Sequence, residues 1–195
     1  MQHTFTRWFL TAIFILCSFT AIASQAQNAE ALKARYFDAA RAGNIELLSA
    51  FYEAGVNANV ADEKGYTALI LAAYHGHQKA VTYLIDTAHA DTCQEDNKGN
   101  TALMGAIFKG HLTVAKQLMF ADCNVDAQNQ QGQTALMFAS LFDRQELVQE
   151  LIASGANPQH TDLSGNTVAD IALSQGNYAL AQALTNSKKQ PSTAK

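Results

Sequence analysis

Apolar positions in this chain follow two periods at once. Within short segments they fall at helical spacing, as Leu32, Tyr36, Phe37 and Ala40 do over residues 31–41, the pattern of a helix with one buried face. Along the chain a longer pattern returns about every 33 residues. Gly99, Gly132 and Gly165 stand 33 positions apart, and Gly65 precedes Gly99 by 34. Three of these glycines lead into Thr67-Ala68-Leu69, Thr101-Ala102-Leu103 and Thr134-Ala135-Leu136, and the fourth into the weaker Thr167-Val168-Ala169. Nine residues after each threonine the chain turns, at Gly76-His77, Gly110-His111, Asp143-Arg144 and Gly176-Asn177, with one earlier turn at Gly43-Asn44. Self-similarity at this period points to a stack of two-helix units, each of which buries its apolar face only against its neighbours.

The turns give local expectations. Asn44 suits the N-cap of a helix over 45–54, because its side-chain oxygen accepts a free backbone N–H. Gly55 stops that helix in the left-handed conformation. His89, Asp122 and Gly155 fill the same position in later units, and Asp and His tolerate positive φ better than most residues. The extra residue of the second unit falls within Asp86 to His89 and lengthens the helix end or its loop. Asp143 is expected to cap the helix that follows it. The units run approximately over 31–62, 63–96, 97–129, 130–162 and 163–186. Residues 24–30 read as a mobile leader, and 187–195 as a polar, disordered tail.

The repeat resembles the ankyrin repeat, with its glycine-led turn, Thr-Pro-Leu-His opening and two antiparallel helices. The resemblance covers residues 31–186. It departs from the family at the proline, here Ala68, Ala102, Ala135 and Val168, and at the histidine, here Ile70, Met104, Met137 and Asp170. A good helix former replaces the proline at little cost, whereas loss of the histidine removes bonds that commonly rigidify loops in this family. The resemblance implies an all-α solenoid of about five helix-turn-helix units joined by β-hairpin-like loops. It also implies a surface that binds proteins through the hairpin tips and the exposed side of the first helices. On that surface the expected protein-binding residues are Tyr66, Tyr74, His75, Phe108, Lys109, Leu141 and Phe142, aromatic anchors with a polar rim. The alternative is that these rings simply pack between adjacent first helices.

The front of the chain stands apart. Residues 1–23 read as a cleaved secretory signal peptide: Arg7, then an uncharged run from Trp8 to Ala23, then small residues at Ala21 and Ala23, with a second acceptable cut after Ala26. The run is short for a permanent membrane span. Cleavage leaves 12 basic against 17 acidic residues, a net charge of −5. An acidic surface without a Lys/Arg stripe argues against nucleic-acid binding and gives no reason for lasting membrane association after cleavage. The expected location is the periplasm. There the chain resembles small ankyrin-repeat proteins of Gram-negative bacteria, some of them linked to catalase activity, so a partner enzyme such as catalase is the expectation that the resemblance supplies.

Candidate chemistry is sparse. His75-x-His77 with His111 is the one local histidine cluster, and two of these hold ordinary turn positions of the repeat. No motif for hydrolysis, nucleotide binding or zinc is present. No catalytic residue, metal or cofactor is expected, and the chain is read as a non-enzyme. Cys93 and Cys123 remain after cleavage. In an oxidising compartment they are expected to pair, the alternative being two buried free thiols. Rival functions are a thiol/disulfide redox protein using these cysteines, or an inner-membrane-anchored structural or immunity protein.

Overall fold

The structure, a computed structural model, describes residues 27–187. The expected signal peptide, residues 24–26 of the expected leader and residues 188–195 of the expected tail lie outside the described residues. Ten helices occur among those described: α1 (27–42), α2 (Ile45–Glu53), α3 (Ala68–Tyr74), α4 (Gln78–Asp86), α5 (Ala102–Lys109), α6 (Leu112–Met119), α7 (Ala135–Leu141), α8 (Gln145–Ala153), α9 (Val168–Ser174) and α10 (Tyr178–Ser187). They pair into five units, the all-α repeat solenoid expected. Two boundaries differ. Residues 27–30, read as leader, are helical, since Gln27, Ala29 and Glu30 are good helix formers continuous with α1. Ser187, read as tail, is the last residue of α10.

The first helices α3, α5, α7 and α9 start at the repeated threonine. Thr67, Thr101, Thr134 and Thr167 are extended N-caps whose Oγ1 accepts the backbone N–H three residues on, from Ile70, Met104, Met137 and Asp170. Asp170, in the histidine position of the family, answers with its own carboxylate: the Thr167 N–H donates to Oδ2 at 2.8 Å, closing a capping box. Asn44 caps α2 as expected, accepting from the Leu47 N–H at 3.0 Å. Asp143 does not cap α8. It takes the glycine position of the turn with φ of 52°, and its Oδ1 accepts from Gln145 and from Asn177 of the next unit. Of the four helix exits, Gly55, His89 and Gly155 have positive φ but Asp122 does not; there the Cys123 N–H folds back to the Ala121 carbonyl at 2.7 Å, a tighter γ-type turn.

Alanine sets the curvature. Ala68, Ala72, Ala73, Ala102, Ala106 and Ala139 are at most 1% exposed, so consecutive first helices approach closely. The second helices meet through larger side chains such as Val81, Leu84, Val114 and Leu118 and pack less closely on one another. A stack that is tight on one side and spread on the other curves toward its tight side. That places the first helices and hairpin tips on the concave face.

Polar groups stitch unit to unit. The residue that opens each second helix reaches back over the previous turn: His77 Nε2 donates to the Arg41 carbonyl at 2.7 Å, and Arg144 Nε lies 3.5 Å from the Ile107 carbonyl. This lid is why the turns want glycine. A Cβ on Gly76 would stand 2.6 Å from the His111 ring, at a φ of +77° that side chains rarely adopt. At the hairpins Asp62, Asp96, Asn129 and Asp162 each accept two backbone N–H groups of their own turn, and neighbouring tips join through Asn97 N–H to Lys64 O and Gln130 N–H to Lys98 O, both 2.9 Å.

The structure pairs Cys93 with Cys123, Cα atoms 5.2 Å apart. The bond ties the loop leaving the second unit to the loop leaving the third, where Thr92 Oγ1 also donates to the Asp122 carbonyl at 3.2 Å.

Two stability measurements follow. Gly105 sits inside α5, where a Cβ would meet nothing closer than the Tyr74 ring at 3.9 Å. Gly105→Ala is therefore expected to raise unfolding free energy by about 0.5–1 kcal/mol in urea titration. Reducing Cys93–Cys123 opens a closed loop of sequence separation 30 and is expected to remove about 3.5 kcal/mol in the chain-entropy account. Urea midpoints with and without dithiothreitol measure it, with Cys93→Ser/Cys123→Ser as the control that reductant leaves unchanged.

Candidate functional site

The concave face carries an aromatic path. Tyr74, at the end of α3, stacks on Phe108 of α5 with centroids 6.0 Å apart and planes 17° from parallel. Phe108 meets Phe142, which follows α7, edge to face at 4.9 Å and 82°. Phe138 continues the path at 6.0 Å from Phe142. These rings pack on one another, as the packing alternative expects, yet Phe108 keeps 42% of its surface exposed. The path is a packed layer with an open face.

At its N-terminal end the path runs into a cavity of about 470 Å³ between α1, the hairpin 62–66 and α3. Phe37, Tyr66, Ile70, Leu71 and Tyr74 supply its apolar wall, and Lys33, Arg41, Lys64, Glu30 and Glu63 its charged edge, with the His75 ring beside them. The volume is within the range of sites that enclose a ligand or one large side chain. Asp62 belongs to the wall too, but its carboxylate is engaged: Oδ1 accepts the N–H groups of Lys64 and Tyr66, and Oδ2 lies 3.4 Å from Arg41.

Six of the seven residues expected from sequence are brought together. Tyr66, Tyr74 and His75 line the cavity, Phe108 and Phe142 form the path, and Lys109 holds its Nζ 5.1 Å above the Tyr74 ring, a cation–π contact. Leu141 is not among them; it packs against the core, as does Phe138, which adds a ring to the path. Phe138, and the contributions of Phe37 and Arg41 from α1, escaped the sequence reading. The first unit lacks the Thr-Ala-Leu start, so nothing in the repeat register announced that α1 would wall a cavity.

Local electrostatics favour neutral rings beside fixed cations. Desolvation holds the Tyr66 phenol above its ordinary value, helped by Asp96 and Asp62. His75 is pushed below the usual histidine range by desolvation first, then by His77, Arg41, Lys109 and His111; its ring stacks on His77 at 6.2 Å. Among the described residues no group of three or more histidine, cysteine or carboxylate side chains is placed to hold a metal ion.

A family model described as "Ankyrin repeats (3 copies)" matches residues 36–129 and 114–194. The chain belongs to the ankyrin-repeat family. It is 29% identical to the ankyrin repeat protein YahD of Escherichia coli (strain K12), over 78% of this chain and 95% of that one. It is 29% identical to the human SH3 and multiple ankyrin repeat domains protein 2, over 77% of this chain but 8% of that protein. An ankyrin repeat-containing protein of Treponema pallidum (strain Nichols) is 32% identical over 63% of this chain and 41% of its own length. Ankyrin repeats act in general by binding other proteins rather than by catalysis.

The shifted His75 gives a pH measurement. The folded chain keeps its imidazole neutral below the ordinary value of about 6.5, so in that window the unfolded chain binds more protons. Stability is complete above pH about 6.5 and falls as pH drops toward the depressed folded value. His75→Gln should lose less of its urea midpoint than the parent when pH is lowered from about 7 to about 5, and the two should run parallel above pH 7.

Proposed function

We propose that this chain is an exported, non-enzymatic binding module that holds a partner protein along its concave face, the partner's anchor side chain entering the cavity beside Tyr74. The observation that carries the reading is the aromatic path Tyr74–Phe108–Phe142 leading into the 470 Å³ cavity. It joins rigid aromatic anchors to a pocket, the combination that dominates binding energy at protein interfaces. Export to the periplasm is supported by the apolar run at residues 8–23 and by the pairing of Cys93 with Cys123, a bond at home in oxidising compartments. The sulfurs join two units and are not spaced as a CxxC pair, which favours a staple over a redox centre. A periplasmic enzyme such as catalase, the partner that the sequence resemblance supplies, is the form of this proposal in which the module supports a partner enzyme in oxidative-stress protection.

Site-specific photocrosslinking tests the reading. Benzoylphenylalanine at position 108 is expected to give a discrete crosslinked partner in periplasmic extract, while the same probe at Tyr52, exposed on α2 of the opposite face, gives none. Equal crosslinking at both positions, or none at 108, overturns it.

A further inference from the structure

The hairpin tips form a ladder with one open end. Asn97 donates its backbone N–H to the Lys64 carbonyl, Gln130 to Lys98 and Leu163 to Gln131, each at 2.9 Å. Side chains repeat the step: Asn97 Nδ2 donates to the Glu63 carbonyl at 2.8 Å, and Gln130 Nε2 to the Asn97 carbonyl at 3.0 Å. Each tip therefore rests on the one before it. Glu63 stands in the column of Asn97, Gln130 and Leu163, two residues ahead of the leading glycine, and its N–H makes no hydrogen bond among the described residues.

The sequence explains why the ladder stops there. Asp62, Asp96, Asn129 and Asp162 anchor their tips by accepting two backbone N–H groups each. Gly65, Gly99, Gly132 and Gly165 close them at positive φ. One period of 33 earlier, these two columns hold Ala29 and Leu32. Ala29 has no acceptor to offer and Leu32 is ill suited to positive φ, so the stretch stays helical within α1. The first unit lacks a tip. The cavity lies at this break: the hairpin gives Glu63, Lys64 and Tyr66 to one wall, and the early turns of α1 give Glu30, Lys33 and Ala34 to the other. Later tips touch directly, whereas here about 470 Å³ stands open.

We infer that an extended main-chain segment of the partner fills this gap and continues the ladder. One of its carbonyls accepts the Glu63 N–H, and an apolar side chain beside that carbonyl enters the cavity against Phe37, Tyr66 and Tyr74. This deepens the proposed function and rests on it. Continuity with the ladder names the occupant, because every other N–H of the column is met by a main-chain carbonyl of the tip before it. An open edge beside a pocket joins the two parts of strand addition, backbone bonds for affinity and a side-chain pocket for specificity. Charge does not select the segment: Lys33, Arg41 and Lys64 are offset by Glu30, Asp62 and Glu63 around the cavity.

Amide exchange followed by NMR on the purified chain supplies the test. Without ligand, the Glu63 amide should exchange at its unprotected rate while those of Asn97, Gln130 and Leu163 are protected. Protection of Glu63 in the free chain overturns the inference: the chain's own first residues then fill the gap, or a second copy does if protection grows with protein concentration. The probe is the peptide acetyl-Thr-Thr-Phe-Thr-Thr-amide, whose threonines favour an extended backbone. At about ten times its Kd it should slow Glu63 exchange about tenfold, since only unbound molecules exchange. No binding, or binding without slowing, overturns the inference.

Glu63→Pro removes the donor and suits the turn. The Gly65 N–H bonds to the Asp62 carbonyl at 2.9 Å, which makes 63 the second position of a β-turn, where proline is favoured. The substitution should weaken the peptide about fivefold, what one hydrogen bond supplies, with an unchanged circular-dichroism melt. Equal affinity overturns the inference, as does an equal loss in Glu63→Ala, which keeps the N–H. The two readings fail separately. A crosslink from position 108 whose yield Glu63→Pro leaves unchanged overturns the ladder and keeps the concave face, whereas Glu63-dependent peptide binding with no crosslink at 108 does the reverse.

Discussion

A pair of helices seven to nine residues long cannot keep its apolar face dry alone, and every other feature of this protein answers to that constraint. Helices of this length are marginal in water, so Ala68, Leu69, Ile70, Leu71, Ala72 and Ala73 of α3 become stable only when α4 and the flanking first helices cover them. The cover is asymmetric because the residues are. Alanines let first helices close on one another, while valines and leucines hold second helices apart. Curvature, and with it a groove, is the geometric result of how the core is filled.

Stacking alone would leave the units free to slide, and polar contacts fix their register. His77 on the Arg41 carbonyl, Arg144 near the Ile107 carbonyl and the tip-to-tip backbone bonds each join one unit to the next. The disulfide adds a covalent tie between the second and third units, the two that supply Tyr74 and Phe108. The last unit is held less: Leu173 of α9, which occupies the position that buries Ala73 and Ile107 in earlier units, is 48% exposed. In a stack whose stability is a sum over neighbours, the aromatic path therefore lies over its best-held part, and the end unit is the first to open.

Much of this was legible because the repeat states it several times. The period of 33 placed the units, and the breaks at Gly76 and Gly110 placed the turns within a residue or two. What the repeat could not state is where one unit departs from the others. Asp143 looks like a cap in isolation, but it stands in the column of Gly76 and Gly110, and column position decides its backbone. Asp122 tolerates positive φ in principle, yet the turn beside Cys123 closes differently. The threonines that cap α3, α5, α7 and α9 stand in the motif itself, each a hydroxyl residue just ahead of an apolar run, which is the signal of an N-cap. The cavity was least legible, since α1 has no threonine start and its wall residues Phe37 and Arg41 acquire meaning only once α1 lies beside the hairpin 62–66.

Rings that pack and rings that bind, alternatives in the sequence, are compatible in the geometry of the aromatic path. An edge-to-face pair such as Phe108 and Phe142 is worth about 0.5–1.5 kcal/mol beyond the area it buries, and in the free protein that contact already fixes both rings. A partner arriving at the open face of Phe108 then meets side chains whose rotamers are set. The ordering cost of about 0.5–1.5 kcal/mol per immobilised side chain is met during folding instead of during binding. Lys109 shares this economy: its ammonium rests over Tyr74 and its charge stays unpaired at the surface. In the proposed function, packing and binding are thus successive uses of the same rings, and an open face on a well-held ring is what such an interface requires.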